Sequence, residues 1–94
     1  MDSVEEVPAR LGSDVSLYCR LSGDAPMRWE RPDGQPLSRA RQFSGGLLRI
    51  QSVQPLDAGV YLCIRGEQTQ YVRLKVDSSG TLFLKYLLKS LHPL

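Results

Sequence analysis

The chain has 94 residues, 41% hydrophobic and 23% charged, with 12 Lys and Arg against 10 Asp and Glu. That length makes one domain with a thin core, and the ordinary apolar fraction excludes a disordered or fibrous chain. A net charge of +2 singles out no polyanionic partner, no apolar run reaches the roughly 18 residues of a membrane span, and the absence of Asn excludes N-linked glycosylation.

The opening Met1-Asp2-Ser3-Val4-Glu5-Glu6 is acidic and has no apolar h-region, so it is read as the start of an excised domain and not as a secretory leader. Val4 to Leu11 is expected as a split first strand, interrupted at Pro8, whose nitrogen cannot donate to a ladder. Val15, Leu17 and Cys19 alternate with Ser16, Tyr18 and Arg20, the period of two of a half-buried strand. Met27 and Trp29 alternate in the same way with Arg28 and Glu30. Pro32-Asp33-Gly34 supplies a turn, since Pro presets φ and Gly accepts a positive one. Leu48, Ile50 and Val53 mark a further strand and its exit. Asp57 to Arg65 is the next strand, Gly66 to Thr69 turns the chain, and Val72, Leu74 and Val76 alternate with Tyr71, Arg73 and Lys75 in the last.

Asp77-Ser78-Ser79-Gly80 then reads as a linker, which divides the chain into a domain at 1–77 and a tail at 78–94. Leu84, Leu87, Leu88 and Leu91 recur at helical spacing, with Lys85 and Lys89 on another face. Thr81 would cap such a helix and Pro93 would stop it. About ten residues neither span a bilayer nor hold a helix alone in water. Three readings stay open for the tail: an opportunistically packed extension, a partner-binding helix, and an interfacial membrane anchor.

Two cysteines are consistent with one internal disulfide or with two buried thiols. Trp29 follows Cys19 by ten residues, Cys63 follows Trp29 by 34, and Cys63 closes the phrase Asp57-Ala58-Gly59-Val60-Tyr61-Leu62-Cys63. This pattern resembles the immunoglobulin superfamily, in which Cys, Trp and Asp-x-Gly-x-Tyr-x-Cys recur in that order. A separation of 44 positions leaves no room for the two extra strands of a variable-type domain, so the resemblance is to the intermediate (I-set) or C2 type, over about residues 3–77. Arg31-Pro32-Asp33-Gly34-Gln35-Pro36-Leu37 and the stretch from Gly46 to Gly59 are similar to the tandem repeats of basement-membrane proteoglycans of the perlecan type and of adhesion receptors.

The resemblance implies an all-β fold, a two-sheet antiparallel immunoglobulin-like sandwich carrying an atypical Leu-rich tail. It implies a Cys19–Cys63 disulfide between the sheets, Trp29 packed on it, Tyr61 as the tyrosine corner, and Leu17 and Leu48 in the core. Asp57 is expected to pair with an Arg at the start of strand D, with Arg41 as first choice and Arg39 as second. A disulfide closing a loop of about 45 residues would stabilise the fold by roughly 4 kcal/mol and would place the protein in an oxidising, extracellular compartment, in matrix or at a cell surface.

Catalysis finds no constellation. The one His is His92, in the tail beside a Pro, the cysteines belong to the core, and no zinc set remains, so no enzyme, cofactor or metal is expected. Recognition is better supported. If Tyr61 and Cys63 face inwards, Val60, Leu62 and Ile64 face outwards on the sheet of strands G, F and C, beside Tyr71, Arg73, Lys75, Arg28 and Glu30. An apolar stripe rimmed by charge has the composition of an interface. Leu62, Ile64, Tyr71, Arg73 and Arg28 are the candidate protein interface, for another protein or for self-association, and the tail leucines are a second one. Scattered exposed apolar residues are also common, and the tail would serve equally as a cover for the stripe. Arg28, Arg31, Arg39 and Arg41 are candidates for a sulfated glycan, although Asp24, Glu30 and Asp33 interleave with them. No basic-aromatic platform for nucleic acid appears. The expected function is a non-catalytic extracellular recognition or adhesion module, with a structural spacer of weak heparan-sulfate affinity as the alternative.

Overall fold

The computed structural model describes residues 4–32, 36–37 and 39–77. Over these the alternating segments form β1 (Val4–Arg10), β2 (Val15–Tyr18), β3 (Met27–Glu30), β4 (Ala40–Phe43), β5 (Leu47–Ile50), β6 (Gly59–Arg65) and β7 (Gln68–Asp77), with a 3-10 turn at Pro55–Asp57. One sheet has the order β1-β7-β6-β3 and the other β2-β5-β4, the expected two-sheet sandwich. Neighbours are antiparallel except β1, which runs parallel to β7 from Val4↔Tyr71 to Arg10↔Asp77.

Three expectations change. The first strand is not split at Pro8; β1 continues through it, because an edge strand has a ladder partner on one side only and tolerates a residue without an N–H. The turn before β7 is two residues, Gly66 and Glu67, closed by the Arg65↔Gln68 pair, and Gly66 at φ +61° suits so tight a hairpin. Asp57 belongs to the 3-10 turn and not to the strand, which starts at Gly59. The Leu-rich tail with Leu84, Leu87, Leu88 and Leu91 lies outside the described residues.

The core lies between the sheets. Leu17, Leu48, Ile50, Val53, Tyr61, Val72 and Leu74 are all at most 1% exposed, with Trp29 beside them. Burying each such side chain contributes about 1.5–3 kcal/mol. Cys19 and Cys63 are bonded across the sandwich, their Cα atoms 5.8 Å apart, and Trp29 is the cross-strand neighbour of Cys63. The carbonyl of Gly46 accepts both Cys19 N at 2.9 Å and Trp29 Nε1 at 3.2 Å. A Cβ at Gly46 would stand 2.9 Å from the Cβ of Cys19, so only glycine fits there.

Polar side chains tie the sheets at their margins. Gln42 of β4 accepts the N–H of Trp29 on β3 at 3.0 Å. Gln70 of β7 accepts Arg20 N at 2.6 Å and donates to Tyr18 O at 3.1 Å. Each amide supplies a partner to backbone that no neighbouring strand reaches.

At the opposite corner Tyr61 Oη donates to Asp57 O at 2.7 Å. The Asp57 carboxylate, 2% exposed, accepts Arg39 Nε and, at 2.8 Å, Gln54 N. The expected first choice, Arg41, is therefore not the partner. In the β4–β5 register Arg41 stands opposite Arg49, whereas Arg39 precedes β4 and lies level with Gln51, beside the chain leading to the 3-10 turn.

Candidate recognition surface

On the outer face of the four-stranded sheet, register assembles rows that run across strands. Glu30, Leu62, Tyr71 and Val4 form one row, contributed in turn by β3, β6, β7 and β1. Arg28, Ile64 and Thr69 form the row on one side of it, and Val60, Arg73 and Glu6 the row on the other. The apolar members on β6 and β7 are half-buried, and Val4 at the edge is 41% exposed. Charged pairs flank them: Arg28–Glu30 at 3.0 Å, Lys75–Glu6 at 3.3 Å and Arg73–Glu6 at 3.7 Å. All five candidate interface residues, Leu62, Ile64, Tyr71, Arg73 and Arg28, thus share one face. Val4 and Glu6 join them only through the parallel β1–β7 pairing, which no local pattern announces.

The four arginines near one another in sequence do not form a single free basic patch: Arg31 and Arg39 line one pocket and Arg39 and Arg41 another. Arg28 is on β3 and pairs with Glu30. Arg31 is buried, its guanidinium 4.7 Å over the Tyr61 ring and donating to Ala58 O at 2.8 Å and Leu56 O at 3.3 Å, a structural cation–π contact. Arg39 is taken up by Asp57. Arg41 is on the second sheet, opposite Arg49 and beside Arg39.

The outer face of that second sheet carries residues that sequence reasoning passed over. Tyr18, Leu47 and Phe43 form a cross-strand row, with Tyr18 57% and Phe43 48% exposed. The next row is Ser16, Arg49 and Arg41. At the hairpin end, Arg65 donates to Ala25 O at 2.8 Å and Leu21 O at 2.9 Å, which fixes the loop between β2 and β3. Among the described residues no group of His, Cys, Asp and Glu is placed to hold a metal ion, and no helix is long and apolar enough to cross a membrane.

A family model for the immunoglobulin domain matches residues 2–65. The chain belongs to the immunoglobulin-domain family. It is 36% identical over 84 residues to human leucine-rich repeat and immunoglobulin-like domain-containing nogo receptor-interacting protein 3, covering 78% of this chain and 14% of that protein. It is 46% identical over 56 residues to the mouse basement membrane-specific heparan sulfate proteoglycan core protein, covering 55% of this chain and 2% of that one. Rat contactin-4 is 42% identical over 64 residues, covering 64% of this chain and 6% of its own. The chain therefore spans a small part of each relative. Among solved structures, the second immunoglobulin domain of the mouse polymeric immunoglobulin receptor superposes with a TM-score of 0.66 at 18% identity, over 81% of this chain and 98% of that one. The neural ectodermal development factor IMP-L2 gives 0.68 at 22% identity, over 79% and 40%. These two likenesses establish the fold.

Proposed function

We propose that this immunoglobulin domain, of the intermediate type, is an extracellular recognition module of a larger matrix or cell-surface protein. It binds another protein, a second copy included, through the outer face of β3, β6, β7 and β1. The observation that carries this reading is the row Glu30–Leu62–Tyr71–Val4, an apolar band across β6, β7 and β1 that ends on Glu30 of β3 and lies between flanking ion pairs. Interface cores are depleted in charge and rimmed by it in this way. A Cys19–Cys63 bond supports an oxidising compartment, and relatives in proteoglycan and contactin support the setting. Residues 1–77 are the domain in this reading, and 78–94 a separate Leu-rich element that either joins the interface or covers it.

Sedimentation of the full chain, of a 1–77 truncation and of the Leu62→Asp and Tyr71→Ala variants tests the proposal. Association that falls in both variants, with circular dichroism and melting unchanged, supports the face. Association indifferent to both substitutions overturns it, and equal tolerance on every face favours a spacer with no site of its own.

A further inference from the structure

Arg41 of β4 and Arg49 of β5 stand directly opposite each other on the outer face of the three-stranded sheet. Like charges at facing positions destabilise a strand pair. Little on the protein offsets this one. Arg49 has Asp14 at 3.8 Å, beyond hydrogen-bond distance, and Arg41 has no ion pair among the described residues. The two arginines, with Arg39, Phe43 and Gln51, line a cavity of about 110 Å³ that contains no acidic side chain. About 10–15 Å³ of such volume already admits one water, so the space is enough for one carboxylate.

β4 has a ladder partner on one side only. Charged side chains on an edge strand often serve to discourage pairing with other chains. That role accounts for Arg41 but not for Arg49, which is on the central strand β5. Arg39, Arg41 and Phe43 occupy alternate positions along this edge, the spacing at which an extended chain laid beside a strand presents its own alternate side chains.

We propose that the outer face of β4 and β5 binds an extended acidic polypeptide segment, with one carboxylate between Arg41 and Arg49 and an apolar side chain against Phe43. A carboxylate placed there turns a repulsive pair into two charge-assisted hydrogen bonds, the geometry that guanidinium groups favour. The apolar requirement at Phe43 and the strand-like spacing distinguish this ligand from a polyanion held by charge alone. An isologous contact with a second copy is disfavoured, since it would bring four guanidinium groups together. The site is on the opposite sheet from the proposed recognition face and stands or falls separately from it.

The test is fluorescence anisotropy with a labelled peptide of alternating Glu and Leu, against the full chain and Arg41→Gln, Arg49→Gln and Phe43→Ser variants. Both arginines are solvent-exposed and repel each other, so these variants are expected to melt with the parent chain or slightly above it; melting curves run beside the titrations. The expected result is saturable binding that weakens with salt and falls about tenfold or more in each arginine variant, the loss of one charge-assisted bond. A smaller fall is expected in Phe43→Ser. Peptide binding unchanged by both Arg substitutions overturns the proposal. So does equal binding of a peptide with Ser in place of Leu, or binding of heparin oligosaccharides with no binding of the peptide.

Discussion

Arg39 Nε donates to both carboxylate oxygens of Asp57, at 3.0 and 3.1 Å, where the acid is 2% exposed and the arginine side chain 37%. The pair closes one end of the sandwich, since Arg39 also donates to Ser52 O at 2.9 Å and the same carboxylate accepts Gln54 N. Removing the arginine strands a buried negative charge. Arg39→Ala should destabilise by about 2–3 kcal/mol, below the usual range for a fully buried pair because Arg39 is partly solvated. Arg41→Ala, on the open face, should stay within about 0.5 kcal/mol of the parent. Urea unfolding of the two variants decides between them, and equal losses would reject the assignment.

Gly45 and Gly46 form a matched pair for a second experiment. Both have positive φ, +83° and +84°, but a Cβ at Gly45 meets nothing within 4 Å. At Gly46 it overlaps Cys19 and comes within 3.0 Å of the Met27 side chain. Gly45→Ala should cost about 1 kcal/mol of backbone strain. Gly46→Ala should cost at least about 2 kcal/mol more, because it also displaces the carbonyl that accepts Trp29 Nε1 and Cys19 N. Shifts in the unfolding midpoint measure both.

The Tyr61 hydroxyl donates inside the protein, so its removal leaves the Asp57 carbonyl short of a donor. Tyr61→Phe should lose about 1–3 kcal/mol with the fold retained. Trp29→Ala, which opens a cavity against the disulfide, should lose about 3–5 kcal/mol. Unfolding followed by far-ultraviolet circular dichroism ranks the two, and a Trp29→Ala protein as stable as the parent would contradict the packing described.

Replacing Cys19 and Cys63 together by Ala removes a cross-link between residues 44 apart in sequence. The expected loss is about 4 kcal/mol on the chain-entropy account, most of the stability of so small a domain. Denaturant titration of the double variant against the oxidised parent gives the number. A difference below about 1 kcal/mol would mean that the core alone carries the fold.

Much of the frame was legible because its residues are chemically committed. Cys19, Trp29, Tyr61 and Cys63 have few other uses in such a spacing, and period-two alternation gave β2, β3 and β7 directly. β4 carries no periodic signal, because three of its four residues are exposed, and only the family resemblance placed the start of a strand at Arg39 or Arg41. Arg39 and Arg41 could not be ranked from sequence, since the choice depends on the β4–β5 register. The same cause undid the four-arginine cluster. Arg28 and Arg41 are near in sequence but sit on different sheets, while Arg49 reaches Arg41 only through strand pairing. The outward set on β6 and β7 was readable by period, yet Val4 and Glu6 required the parallel pairing of β1.

That parallel pairing also decides how the domain would bear a load. Val4 and Asp77 lie at opposite ends of the β1–β7 ladder, so tension applied through them drags the two strands past each other. All seven residue pairs of the ladder then resist at once, in shear, where an antiparallel hairpin pulled from its open end would give way one pair at a time. In a string of such domains the junction of β1 with β7 is the mechanical clasp, and the bonds that hold it lie across the line of pull.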